Sequence, residues 1–181
     1  SVNTIYLKNN QVVGHNTDIE GFEIAVKSTS YNVAGKTILI LGAGGVVPSI
    51  IYALNKMKAS EIIVMNRTKN KAEKLKELFK NLLIVDWDKI PRFDMIINAT
   101  SLGLNNNDEI NLDFTKASKK KFFYDVIYNP KETNFLKKAK IMGNQTENGR
   151  KMFIYQAAAA FNIWHGIYPK IDDGLDKLLD K

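Results

Sequence analysis

Thr37-Ile38-Leu39-Ile40-Leu41-Gly42-Ala43-Gly44-Gly45 is an apolar run that ends in a glycine cluster. The run reads as a buried strand, and the cluster as a tight turn opening a helix predicted over 46–57. Such a turn lets backbone N–H groups and the positive end of a helix approach a pyrophosphate. A second apolar run, Glu61 to Met65, closes on Asn66-Arg67-Thr68, at the distance where a dinucleotide site meets the adenine ribose. Sites for NAD place Asp or Glu there, to accept from the ribose 2′-hydroxyl. This chain offers Arg67, Thr68 and, one turn on, Lys71. Cations and a hydroxyl suit a 2′-phosphate, so the expected cofactor is NADP rather than NAD.

Outward from this pair, the alternation continues. Strands are predicted over 82–85, 94–98 and 122–127. A helix over 70–79 precedes the first of them. A short segment, Trp87 to Pro91, follows the first, a loop over 100–108 the second, and a helix over 133–140 the third. Strands apolar along their whole length fit a parallel sheet covered on both faces. Upstream, Asn3 to Leu7 and Gln11 to Gly14 flank Lys8-Asn9-Asn10 as a hairpin. Asn16-Thr17-Asp18 then opens a helix running to about residue 27, with Ile19, Phe22, Ala25 and Val26 on its buried face. Downstream, helices are predicted over 149–165 and 172–179. The expected fold is α/β: a Rossmann-like, doubly wound sheet of about six parallel strands with helices on both faces. Residues 1–16 form a hairpin unit, 17–34 a linking helix, 35–160 the nucleotide-binding domain and 161–181 the C-terminal helices. Gly42 to Gly45, Asn66 to Thr68, Asn98 to Gly103 and Val126 to Asn129 all fall at carboxyl ends of strands, where such sheets bind ligands.

Composition narrows the function classes. The 181 residues suffice for one sizeable core. The formal net charge is +7, from lysines scattered among Glu and Asp, with Lys119-Lys120-Lys121 the densest run. No nucleic-acid module and no basic patch interleaved with aromatics is present, so no nucleic-acid partner is expected. A mild positive field favours anionic ligands instead. With no cysteine, disulfides, thiolate catalysis and cysteine-ligated zinc are excluded within this chain. His15 and His165 lie far apart in sequence, and no metal site is expected. No apolar run reaches the length of a membrane span, and Ser1-Val2-Asn3-Thr4 lacks the features of a signal peptide, so a cytoplasmic setting is expected. The start lacks Met and falls within a strand-like pattern, which reads as a fragment.

Longer motifs sharpen this reading. Val2-Asn3-Thr4-Ile5, Gly14-His15-Asn16-Thr17-Asp18 with Gly21-Phe22, Leu41 to Gly45, and Asn66-Arg67-Thr68 with Lys71-Ala72 occur in order. Ile97-Asn98-Ala99-Thr100-Ser101-Leu102-Gly103, Tyr124-Asp125-Val126-Ile127-Tyr128-Asn129-Pro130 and the stretch from Asn148-Gly149 to Gln156-Ala157-Ala158 follow. Together they make the chain resemble shikimate dehydrogenase, from its second residue to near its C-terminus. The Asn-Thr-Asp-x-x-Gly-Phe stretch and the Gln-bearing helix are far more specific than the glycine turn.

The resemblance implies NADPH-dependent reduction of 3-dehydroshikimate to shikimate, a step of aromatic amino-acid synthesis (the chorismate pathway). It implies an Asp and a Lys facing the reacting oxygen, and the Asp maps onto Asp18. Asn3, Asp18, Tyr128 and Gln156 map onto substrate-binding positions. Residue type alone also allows Asp18 as a helix cap, Asn3 as a turn residue, Gln156 as a donor to a backbone carbonyl and Tyr128 as packing. The resemblance places Gly42, Ala43, Gly44, Gly45 and Val46 at the pyrophosphate, and Asn66, Arg67, Thr68 and Lys71 at the 2′-phosphate. Thr100, Ser101, Val126 and Gly149 are placed along the nicotinamide ribose and ring. Turn chemistry alone would also account for Ser101 and Gly149.

Departures are few. No lysine here occupies a motif matching the family's reacting lysine. It belongs to an N-terminal substrate domain, of which residues 1–16 read as a remnant, and the fragment alone is expected to bind NADP without turnover. Pro48 stands early in a helix, where it is tolerated. Val47 replaces the usual third Gly or Ala of the turn and is expected to hold the helix slightly farther from its strand. Lys151 replaces a frequent glycine. Two alternatives remain: a quinate/shikimate dehydrogenase paralogue using NAD, or a non-catalytic NADP-binding module of a larger protein. A homodimer is one possible assembly.

Overall fold

The computed structural model describes residues 1–105, 108–115 and 119–179. The expected loop over 100–108 and the C-terminal unit over 161–181 therefore fall partly outside the described residues.

Two short strands, β1 (Thr4–Lys8) and β2 (Gln11–His15), pair antiparallel with Thr4 opposite His15 and Lys8 opposite Gln11. Asn9 and Asn10 make the turn with positive φ, a conformation asparagine tolerates. Helix α1 (Asp18–Ser28) follows and buries Gly21, Phe22, Ala25 and Val26. Five further segments alternate in the order expected of a doubly wound sheet: β3 (Thr37–Leu41), α2 (Val47–Lys56), β4 (Glu61–Met65), α3 (Lys69–Glu73) and α4 (Leu75–Leu78). The chain then forms β5 (Leu83–Val85), β6 (Met95–Asn98), β7 (Phe122–Asp125), α5 (Asn134–Ile141), β8 (Gln145–Glu147), α6 (Arg150–His165) and α7 (Asp173–Leu178).

The large sheet has six strands in the order β5-β4-β3-β6-β7-β8, and every neighbouring pair is parallel. The order reverses between β3 and β6, which is the switch point where such sheets hold ligands. Alternation along each strand splits the core in two. Ile38 and Ile40, Ile62 and Val64, Met95 and Ile97, and Phe122 and Tyr124 face α1, α2 and α6. Leu39, Leu41, Ile63, Met65, Ile96 and Phe123 face the other way, toward Phe93, Phe114, and Phe135 and Leu136 of α5. Val47, at the third position of the turn, is wholly buried in the first of these clusters.

Two elements differ from expectation. The helix expected over 70–79 is broken in two at Lys74, where Glu77 N–H bonds to the Lys74 carbonyl three residues back at 3.3 Å. Only Ala72 and Leu75 of that lysine-rich stretch are buried, so packing pins little of it. Strand β8 was not foreseen, because Gln145-Thr146-Glu147 has no apolar residue and sits at the sheet edge. Helix α6 spans Arg150–His165, close to the 149–165 predicted.

Candidate functional site

At Gly42 the chain leaves β3 with φ +110°, and an added Cβ would sit 2.7 Å from the Ala99 carbonyl oxygen. Only glycine fits there, and it lets the turn fold over the end of β6. The Gly42 N–H is bonded to the Met65 carbonyl at 2.8 Å. The N–H groups of Ala43, Gly44, Gly45 and Val46 have no acceptor among the described residues. They precede α2, whose N-cap Val46 offers no side chain to its first turn. A helix start of this kind suits an anion.

A cleft of about 570 Å³ joins this turn to the end of β4. Gly42, Ala43 and Gly44 line it on one side, Asn66, Arg67, Thr68 and Lys71 on another, and Thr100 and Ser101 on a third. That volume lies in the range of small-molecule sites. The neighbouring lysines are committed: Lys69 pairs with Asp86 at 3.0 Å and Lys76 with Glu73 at 3.3 Å. Arg67 and Lys71 have no acidic partner among the described residues. Asn66 Nδ2 donates to the Thr68 carbonyl at 2.7 Å and so fixes the bend that carries Arg67. Free N–H groups at one end of the cleft and two uncompensated cations at the other fit a ligand with a pyrophosphate and a further phosphate. Gly45, Val46, Val126 and Gly149 lie outside the walls of this cleft.

The wall at Thr100 is built by a buried polar network. Asn98 is fully buried at the end of β6. Its Oδ1 accepts from Thr100 N at 3.1 Å and from Thr100 Oγ1 at 2.7 Å. Its Nδ2 donates to the Leu102 carbonyl and to Asp125 Oδ1, both at 3.1 Å. Asp125, at the end of β7, also accepts from Ile127 N at 3.0 Å and from Thr133 Oγ1 at 2.6 Å. Burial nevertheless pushes the Asp125 carboxyl up to about 6, against the pull of these donors.

Beyond β7, Gly149 and Val126 are in contact: a Cβ on Gly149 would land on the Val126 carbonyl oxygen, and the Gly149 N–H bonds to the Ile127 carbonyl at 3.0 Å. Gly149 caps α6, and one turn on Phe153 stacks on Tyr128, with ring centroids 4.4 Å apart and planes 18° from parallel. The Phe153 carbonyl accepts from Gln156 Nε2 at 3.0 Å. Gln156 Oε1 lies 3.4 Å from Thr17 Oγ1. Asn3 Nδ2 donates to Thr17 Oγ1 and to Asp18 Oδ1, both at 3.0 Å, while Asn3 Oδ1 accepts from Thr17 N at 2.9 Å. Asn3, Asp18 and Gln156 thus meet in one polar cluster, whereas the Tyr128 ring reaches Phe153, one turn before Gln156.

Gly21 makes this meeting possible, because a Cβ there would be 2.7 Å from the Met152 carbonyl oxygen and 2.9 Å from Gln156 Cβ. Asp18 is the first residue of α1 and not its N-cap; Asn16 Oδ1 accepts its N–H at 3.0 Å. Burial holds the Asp18 carboxyl above its ordinary range, with the Asn3 amide pulling it back. A half-buried carboxyl with spare acceptor capacity can orient a hydroxyl and exchange a proton.

Sequence reasoning missed Thr17, buried and central to the polar cluster, although it stands inside the quoted Asn-Thr-Asp motif. It also missed Trp87, Glu109 and Asn111, which line the cleft from segments without a motif. Asn98 holds the Thr100–Leu102 loop, Asp125 holds Asn98, and Thr133 holds Asp125. Among the described residues, no group of three His, Asp or Glu could hold a metal ion, and no helix is long and apolar enough to cross a membrane.

Comparison with known proteins shows the family of the chain. The model of the Shikimate / quinate 5-dehydrogenase family matches residues 23–140, and that of the Shikimate 5′-dehydrogenase C-terminal domain matches residues 149–179. A shikimate dehydrogenase (NADP(+)) of Pelagibacter ubique is 57% identical over 180 residues, covering 99% of this chain and 68% of its own. A solved shikimate dehydrogenase in complex with NADP+ has a TM-score of 0.89 at 36% identity, covering 99% of this chain and 66% of its own. A quinate dehydrogenase of Corynebacterium glutamicum in complex with NAD has a TM-score of 0.90 at 28% identity, covering 100% of this chain and 68% of its own. The chain spans roughly two thirds of the length of the curated relatives it matches, 68%, 63% and 61% for three of them.

Proposed function

The chain belongs to the shikimate/quinate dehydrogenase family, and on that footing we propose that it is the NADP-binding part of an enzyme interconverting 3-dehydroshikimate and shikimate. The observation that carries this reading is the pairing of Arg67 and Lys71, without acidic partners, with the open glycine turn in one cleft. Bound there, NADPH supplies a hydride to a ring ketone. The N–H groups of Ala43 to Val46 hold the pyrophosphate, Arg67, Thr68 and Lys71 hold the 2′-phosphate, and Thr100 and Ser101 face the ribose on the reacting side. Val126 and Gly149 belong to the nicotinamide end. Asn3, Asp18, Gln156 and Tyr128 bind the substrate hydroxyls and carboxylate, with Asp18 positioned for proton exchange with the reacting oxygen.

Among the described residues no lysine hydrogen-bonds to Asn3, Thr17, Asp18 or Gln156. On this reading the reacting lysine implied by the resemblance, which matches no motif of this sequence, comes from elsewhere in the enzyme, and the 181 residues alone bind cofactor without turnover. Residues 1–16 belong with the substrate-binding unit, and 35–160 carry the cofactor. A cytoplasmic setting goes with this role. The relation of two copies is read by light scattering.

Calorimetry with NADP+ and NAD+ tests the reading. NADP+ should bind the more tightly, and Arg67→Leu should weaken it by about 1–3 kcal/mol, the range of a charge-assisted bond, while NAD+ is nearly unaffected. Equal losses for both cofactors would make Arg67 a structural residue. Binding of NAD+ at least as tight as NADP+ in the unaltered chain would replace this reading with the NAD-using paralogue. In an enzyme that also carries the lysine, Asp18→Asn should abolish most turnover and leave NADP+ affinity intact. Unchanged turnover would remove Asp18 from the site.

A further inference from the structure

We propose that Trp87 is the platform on which the adenine ring rests, so that one aromatic residue fixes the base while Arg67 fixes the neighbouring phosphate. The inference rests on the cofactor reading above and adds a residue to it. Met65 of β4 pairs with Val85 of β5. Arg67 and Trp87 each lie two residues beyond that pair, at the carboxyl ends of adjacent parallel strands. The 2′-phosphate and the base leave the same ribose and need adjoining subsites.

An ion pair holds the two strand ends together. Lys69, which follows Thr68, reaches Asp86, which precedes Trp87, at 3.0 Å. The indole is partly buried against the second core cluster beside Val85 and Ile90, and it also lines the cleft. The rest of this end of the cleft is cationic or polar: Arg67, Thr68 and Lys71. A purine face needs a flat apolar partner, and Trp87 supplies it.

The chain has two tryptophans, Trp87 and Trp164, so Trp164→Phe leaves Trp87 as the sole emitter. The probes are 2′,5′-ADP, which carries adenine and the 2′-phosphate but no nicotinamide, and 5′-AMP, which lacks the 2′-phosphate. Saturating 2′,5′-ADP should quench Trp87 emission in the Trp164→Phe protein. Trp87→Ala should weaken both probes and NADP+ about tenfold, and Trp87→Phe should recover most of the loss. Arg67→Leu should weaken 2′,5′-ADP and leave 5′-AMP unchanged. A folded Trp87→Ala chain that binds 2′,5′-ADP with unaltered affinity overturns the platform and leaves the cofactor reading standing. Should that variant fail to fold, unquenched Trp87 emission at calorimetric saturation overturns it equally. An unaltered chain that binds neither NADP+ nor 2′,5′-ADP overturns both.

Discussion

Asn98 and Asp125 close the ends of adjacent parallel strands β6 and β7 with a 3.1 Å hydrogen bond between two fully buried side chains. The pair holds the Thr100–Leu102 wall of the cleft, and Asp125 bears the electrostatic cost of being there. Its carboxyl is pushed up to about 6. A carboxyl raised on folding adds stability that is fully present below its unfolded value, about 4, and is lost as pH rises through the folded value. Carbon-detected NMR should therefore place the Asp125 titration midpoint near 6, and Asp125→Asn should flatten the fall in unfolding free energy between about pH 4 and 7. A midpoint in the ordinary aspartate range would show that the donors from Asn98, Ile127 and Thr133 outweigh burial.

Gly149→Ala is expected to damage both the fold and the nicotinamide end of the site. The new methyl would occupy the position of the Val126 carbonyl oxygen, and backbone cannot yield as a flexible side chain can. Urea denaturation should show a loss of about 2 kcal/mol or more, accompanied by weaker NADP+ binding. Unaltered stability would mean that α6 shifts freely against β7.

Gly21→Ala tests the crossing of α1 and α6 in the same way. The methyl meets the Met152 carbonyl at 2.7 Å and Gln156 Cβ and N at 2.9 Å, so the helices must part. Stability should fall by about 1–3 kcal/mol. The Thr17–Gln156 contact should lengthen in a crystal structure of the variant, while NADP+ affinity changes little. A variant as stable as its parent would contradict the close packing.

Tyr124→Phe is expected to be harmless or stabilising. The Tyr124 hydroxyl is buried with no hydrogen-bond partner among the described residues, and its ring meets Phe22 edge-on at 5.2 Å between centroids. Removing an unpaired buried hydroxyl recovers a desolvation cost of about 1 kcal/mol. A destabilisation of that size in urea would instead reveal a bound water as the missing partner.

The sheet was legible because its strands carry apolar side chains on both faces, as Thr37 to Leu41 and Glu61 to Met65 do. The polar edge strand at Gln145–Glu147 gave no such signal, since it packs through one neighbour and its own backbone. In the site, Gly42 and Arg67 could be read because a turn and a charge each demand a residue type. Asn3, Asp18, Tyr128 and Gln156 were legible only through longer motifs, because their partners lie up to 139 positions away. Trp87 was silent: an aromatic at that spacing looks like core, and it does pack on core with part of its surface.

β5 is three residues long and, among the described residues, has a partner strand on one side only. Short margins of this kind are where a sheet opens first to solvent. A nucleotide lying across Arg67 and Trp87 would clamp that margin, coupling saturation of the cleft to the persistence of the Leu83–Val85 amides. Deuterium uptake along β5 then serves as a gauge of occupancy, slowing as ligand is added while the central strand β3 keeps its own pace.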